Sequence, residues 1–87
     1  MGKSSIINTR ASVDHDCSIG KYCHLAPGVT LSGNVVIEDN VHVGTGSNVI
    51  QEIKISNNAI IAAGSTVFKN IDEDSQFIQK RQEKAKN

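Results

Sequence analysis

Aliphatic residues recur at every sixth position from Ile7 without interruption: Ile7, Val13, Ile19, Leu25, Leu31, Ile37, Val43, Val49, Ile55, Ile61 and Val67. A second rank, the fifth residue of each block, is small or aliphatic: Ala11, Cys17, Cys23, Val29, Val35, Val41, Ser47, Ile53, Ala59, Ser65 and Ile71. This period is neither that of a helix nor that of an ordinary strand. In extended chain, residues two apart share a face, so the fifth residue of one block and the first of the next, such as Cys23 and Leu25, point inward together. The sixth residue between them points out, and that rank is mostly polar: Ser12, Ser18, His24, Thr30, Val36, His42, Asn48, Lys54, Ile60, Thr66 and Asp72. The second to fourth residues must then turn the chain. From the fourth block onward the fourth residue is Gly28, Asn34, Asn40, Gly46, Glu52, Asn58, Gly64 and Asn70. Gly adopts φ > 0 freely and Asn tolerates it. Glu52 breaks the rank, which predicts a strained or altered corner there.

Three short sides and three corners close an 18-residue coil. The pattern therefore predicts an all-β solenoid, a triangular prism of nearly four coils stacked by parallel pairing at about 4.8 Å per step. Sides beginning at 7, 25, 43 and 61 form one wall, those at 13, 31, 49 and 67 a second, and those at 19, 37 and 55 a third. The pattern gives the triangle without its hand. Residues 1–6 are a lead-in, 7–72 the prism and 73–87 a tail. Gly2-Lys3-Ser4 lacks the rest of a phosphate-binding loop and has no strand before it. The tail, acidic and then basic, is read either as a short helix laid on the last coil by Phe77 and Ile78 or as fraying chain.

Composition narrows the function. Lysines and arginines balance aspartates and glutamates, and Tyr22, Phe68 and Phe77 are the only aromatic residues, so neither nucleic acid nor an anionic membrane is an expected partner. No apolar run approaches the roughly 20 residues that span a bilayer, and the N-terminus lacks a signal-peptide core; a cytoplasmic protein is expected. Cys17 and Cys23 both hold inward positions and are read as buried free thiols. A prism this small exposes apolar core and strand edges at its ends, so self-association is expected, with outward Val36 and Ile60 as candidate contacts.

All three histidines face outward: His15 at a corner, His24 and His42 on strands. His15 lies in V-D-H-D-C between Asp14 and Asp16. A carboxylate beside an imidazole can hold its tautomer and stabilise the imidazolium, as in acyl transfer, and histidine's unperturbed pKa of about 6.5 suits a general base. His24 and His42 are one coil apart on one wall and could line a ligand groove or bind a metal. A full side separates His15 from His24, so the two are poorly placed to share one site within a subunit and could meet across a subunit boundary. The spacing does not fit a three-histidine hydratase site, and no metal is assigned. Outward Ser12, Thr30, Asn48 and Thr66 lack the second threonine rank of an ice-binding face.

The hexads, with VDHDCSIGKYCHLAPGVTLSGNVVIEDNVHVGTGSNV and AIIAAGSTVFKNI, resemble the C-terminal β-helix of the sialic-acid O-acetyltransferase and amino-sugar N-acetyltransferase family, within the hexapeptide-repeat acyltransferases, over roughly residues 7–78. The resemblance implies a left-handed coil, a homotrimer, and acetyl transfer from acetyl-CoA to an amine or hydroxyl of a sugar or nucleotide-sugar. It makes His15 the general base and Asp16 its orienting acid. His24 would lie near the thioester, Gly33 beside the cofactor, and Thr45, Ala63 and Gly64 along the CoA groove. Ala63 stands where relatives often have Gly. Family members usually carry an N-terminal α/β domain for the sugar nucleotide and a closing G-x-P-A-K/R segment; here the latter place reads Q-K-R-Q-E. The competing expectation is a trimeric β-helix scaffold without turnover.

Overall fold

The computed structural model describes residues 4–8, 10–14 and 16–79. Among these residues twelve two-residue strands form three parallel sheets. The first wall contains β1 (Ile6–Ile7), β4 (His24–Leu25), β7 (His42–Val43), β10 (Ile60–Ile61) and β12 (Gln76–Phe77). The second contains β2 (Ser12–Val13), β5 (Thr30–Leu31), β8 (Asn48–Val49) and β11 (Thr66–Val67). The third contains β3 (Ser18–Ile19), β6 (Val36–Ile37) and β9 (Lys54–Ile55). Pairing runs in steps of 18, for example Ile7 with Leu25 and Leu25 with Val43. The predicted triangle and its three walls are therefore present.

The two inward ranks fill the prism. Leu25, Val29, Val35, Ile37, Val41, Val43, Val49, Ile55, Ala59, Ile61 and Val67 are buried, and Cys23 joins them. Inward Ser47 and Ser65 are also buried. Ser47 Oγ donates to the Ala62 carbonyl at 2.9 Å, which satisfies the hydroxyl as burial requires. Both cysteines are free thiols, Cys23 buried and Cys17 half-buried.

Left-handed backbone recurs every six residues whatever the side chain. Arg10, Asp16, Tyr22, Gly28, Asn34, Asn40, Gly46, Glu52, Asn58 and Gly64 all have φ between 58° and 77°. Glu52, at φ 60°, keeps the same corner as its neighbours, and its N–H donates to the Gly33 carbonyl at 3.0 Å. The corner expected to be altered is thus regular. The coil imposes the conformation and the side chain bears its cost, about 1–2 kcal/mol for an L-residue in that region. Glu52→Gly should raise stability by about 0.5–1 kcal/mol once the extra chain entropy of glycine is subtracted, read as an upward shift in thermal midpoint.

The period breaks once. Ile71 bridges to Ile55, and Phe77 pairs with Ile61, 16 residues away in each case. Ile71 therefore occupies a first-rank position and not the fifth-rank one expected, and Asp74 at φ 59°, not Asn70, makes the next corner. Burial explains the shift. Continuing in sixes would have turned Glu73 inward; with two residues dropped, Ile71 takes the first-rank place and stays buried, Phe77 is half-buried, and Glu73 remains exposed. Side-chain amides fill the gaps this leaves. Asn70 Oδ1 accepts the Lys54 N–H at 2.8 Å and Gln79 Oε1 accepts the Thr66 N–H at 2.9 Å, both in place of backbone carbonyls from a full next turn. Where a helix or frayed chain was expected after 72, residues 76–77 form β12; residues 80–87 lie outside the described set.

Candidate functional site

The three corners differ in chemistry. The one between the third and first walls is a stack of polar side chains bonded to one another and to backbone. Asp39 Oδ1 accepts the Lys21 N–H at 2.8 Å, and Asn57 Oδ1 accepts the Asp39 N–H at 2.9 Å. Asn40, Asn58 and Asp74 form a ladder outside them, with 2.8 and 2.9 Å hydrogen bonds. These groups are spent on holding coils together.

The corner between the first and second walls is built of small residues. Ala26-Pro27-Gly28, Gly44-Thr45-Gly46 and Ala62-Ala63-Gly64 lie one above another. The N–H of Gly46 donates to Pro27 O at 3.0 Å, and that of Gly64 to Thr45 O at 2.9 Å. Around Gly46 and Gly64 nothing stands within 4 Å of where a Cβ would project, so the ridge is open to a ligand. Thr45, Ala63 and Gly64, predicted for the donor groove, all lie here and are exposed. Half-buried His24, on β4, leads directly into this corner. From His24 the candidates descend two coil steps, about 10 Å, along the prism.

The corner between the second and third walls holds Asp16 and Gly33. His15 itself lies outside the described residues. Its neighbours are anchored: the Asp14 N–H donates to Leu31 O at 3.0 Å, and Cys17 Sγ lies 3.1 Å from Ser32 O. Asp16 is exposed with φ 68°. Gly33 sits beside this acidic segment, since a Cβ on it would lie 3.7 Å from Asp14 Oδ2. One whole wall, β2-β5-β8-β11, separates this group from the small-residue corner. Asp16 and Gly33 are brought together; His24, Thr45, Ala63 and Gly64 are brought together elsewhere.

Two residues escaped the reading of the sequence. Asn8 Nδ2 lies 2.8 Å from His24 Nε2, a contact visible in advance only from the exact pairing of Ile6 with His24. Gly44 lies under Ala63, so close that a Cβ on it would meet Ala63 N at 2.6 Å; its signal is a glycine off the corner rank. His42 is exposed and edge-on to His24, ring centroids 5.8 Å apart. Among the described residues no group of three or more His, Cys, Asp or Glu is placed to hold a metal, and no helix is long and apolar enough to cross a membrane.

No family model matches the chain. It is 41% identical over 64 residues to GDP-perosamine N-acetyltransferase of Escherichia coli O157:H7, covering 74% of this chain and 28% of that protein. It is 34% identical over 71 residues to acyl-[acyl-carrier-protein]–UDP-N-acetylglucosamine O-acyltransferase of Helicobacter pylori, covering 82% and 26%. Among solved structures it resembles a mutant perosamine N-acetyltransferase from Caulobacter crescentus in complex with CoA and GDP-perosamine, with TM-score 0.81 and 36% identity over 87% of this chain and 35% of that one. The chain thus spans about a quarter of the length of these curated relatives. The structural match makes the coil a left-handed β-helix.

Proposed function

This chain is a hexapeptide-repeat β-helix whose homologues are acyltransferases, and from that premise we propose that it is the donor-binding and catalytic coil of an acetyl-CoA-dependent acetyltransferase. The acceptor is an amine or hydroxyl of a sugar or nucleotide-sugar, the class named for the perosamine and N-acetylglucosamine relatives. The observation that carries the reading is the exposed small-residue corner leading away from His24. Side chains no larger than threonine at Thr45, Ala63 and Gly64 allow a slender pantetheine arm to lie against backbone, and the open space beside Gly46 and Gly64 fits that arm.

In this scheme His15 removes the proton from the acceptor as its nitrogen or oxygen attacks the thioester carbonyl. The C–S bond then breaks, the departing CoA thiolate takes that proton from the His15 imidazolium and leaves as the thiol, and the acetyl group passes over with no covalent enzyme intermediate. Asp16 orients the His15 ring, and Gly33 lets the donor approach the backbone. Because a full wall divides the two groups of candidates, the complete site forms between copies, in a homotrimer. Ile6, Ile60 and Val36, exposed at 56%, 46% and 38% on the outer faces, are apolar surface for such contacts. Singly exposed aliphatics are common, so the division of the site is the stronger argument.

Calorimetric titration with acetyl-CoA tests the donor half; no detectable binding would leave a scaffold without turnover as the better reading. A mixing experiment tests the shared site. His15→Ala and His24→Ala chains, each inactive alone, should regain activity when co-assembled, because some interfaces then receive both histidines. Mixed assemblies without activity would place the site within one chain.

A further inference from the structure

We infer that the C-terminal rim of the prism is a docking edge for the first coil of a second copy, and that Gln79 and Asn70 keep it closed. The inference does not rest on the acetyltransferase reading above.

The two ends of the coil are chemically complementary. Between turns, the N–H groups flanking an inward residue donate to carbonyls of the following turn, as Ser12 N–H does to Val29 O and Asp14 N–H to Leu31 O. The first turn therefore presents the carbonyls of Ala11, Val13, Cys17 and Ile19, with no turn beneath them among the described residues. The other end presents N–H donors, and there β11 is the outermost strand of the second wall. Two like ends would set carbonyl against carbonyl or donor against donor. A first turn set on the C-terminal rim would continue the ladder, with β2 of the second copy on β11 and its β1 on β12. Open edges of this kind add strands from other chains.

Side chains favour the same union. Ile7, Ala11, Val13 and Cys17 are only half-buried against the core of their own copy. At the opposite end, half-buried Phe77 and exposed Phe68 stand edge-on, ring centroids 5.9 Å apart, and offer apolar surface. In this register the exposed Asp14 and Asp16 of the second copy would come over exposed Lys69. Such a contact is heterologous and does not close, so unchecked it would lengthen into a filament.

Two amides check it. Gln79 Oε1 accepts the Thr66 N–H of β11 at 2.9 Å, and Asn70 Oδ1 accepts the Lys54 N–H at 2.8 Å. The first occupies the donor that Ala11 O of a second copy would need, and sets a side chain where its β2 would lie. The second lets the third wall end at the single bridge between Ile71 and Ile55, which leaves β3 of a second copy no two-residue strand to pair with. Both closures use the amide oxygen, so an acceptor is what the rim requires.

Sedimentation velocity of the full chain over a range of concentrations tests this. Wild type should hold one discrete size. The Asn70→Ala, Gln79→Ala double variant, folded by circular dichroism, should grow with concentration into filaments. The Asn70→Asp, Gln79→Glu pair keeps both acceptor oxygens and should stay discrete. Adding Lys69→Glu to the alanine pair should raise the concentration at which growth begins about 2–5-fold, the contribution of one exposed ion pair. An alanine pair that keeps the wild-type size overturns the inference. So does growth of the acid pair, or growth that Lys69→Glu leaves unchanged, which is ordinary aggregation. Amide hydrogen exchange on the wild type tests the closure without any variant: the Thr66 N–H should be protected, and exchange at the rate of free chain overturns the role of Gln79.

Discussion

Replacing His15 by alanine should lower acetyl transfer by about 10²–10⁴-fold, the range for losing a positioned general base, while leaving the coil, its assembly and acetyl-CoA binding intact. The separation follows from where the load is carried. The coil is held by inward aliphatics and by backbone ladders between neighbouring turns, and the corner of Asp14 and Asp16 is anchored through Asp14, Cys17 and Gly33. The donor candidates His24, Thr45, Ala63 and Gly64 lie across a full wall. Binding and chemistry should therefore part cleanly, with kcat falling and the acetyl-CoA titration unchanged. Asp16→Asn should have a smaller effect in the same direction, because it removes the orienting charge and keeps the base. A His15→Ala chain with near-wild-type turnover would remove His15 from the mechanism, and the acceptor would then need another route for its proton.

The fold was legible in the sequence because each rank has one structural meaning. An aliphatic at every sixth place can only face inward, and that settled walls, register and core from Ile7 to Val67. What the ranks could not show is where the coil prefers burial to period. Asn70 keeps the Gly/Asn rank, so the sequence offers no local sign that the corner is two residues short. The cause lies further on, in the charge at Glu73, which unbroken sixes would have turned inward. Nor did composition at the corners predict conformation. Arg10, Tyr22 and Glu52 adopt φ > 0 as Gly28 does, because ladder hydrogen bonds on both flanks leave them no other path. The candidate site was legible to the extent that small residues and histidines fell into register on the same corner or wall. The Asn8–His24 contact was not, since the second residue of a block belongs to no inward or outward rank and its direction is settled only by the fold.

Gly44→Ala should be the most damaging one-methyl change in the small-residue corner, costing about 3 kcal/mol, the upper part of the range for overpacking a close-packed interior. The added Cβ would lie 2.6 Å from Ala63 N, 2.8 Å from Ala63 Cα and 2.9 Å from Ile61 O. All three are backbone atoms of the next coil, so no side chain can swing aside and the coil spacing itself must open. The N–H of Gly44 donates to that same Ile61 carbonyl at 2.9 Å, which ties the strain to a ladder hydrogen bond. Gly46→Ala provides the contrast. Its Cβ would meet open space, and only the left-handed backbone at φ 71° is strained, a net cost of about 0.5–1 kcal/mol once the chain entropy lost with glycine is counted. Denaturant midpoints should therefore fall further for Gly44→Ala than for Gly46→Ala. Acetyl-CoA affinity should fall with it, since the displaced residue is Ala63, a proposed wall of the donor groove. Equal midpoints for the two variants would mean that neighbouring coils separate easily, and that the small residues here serve the turn alone and not the close contact between coils.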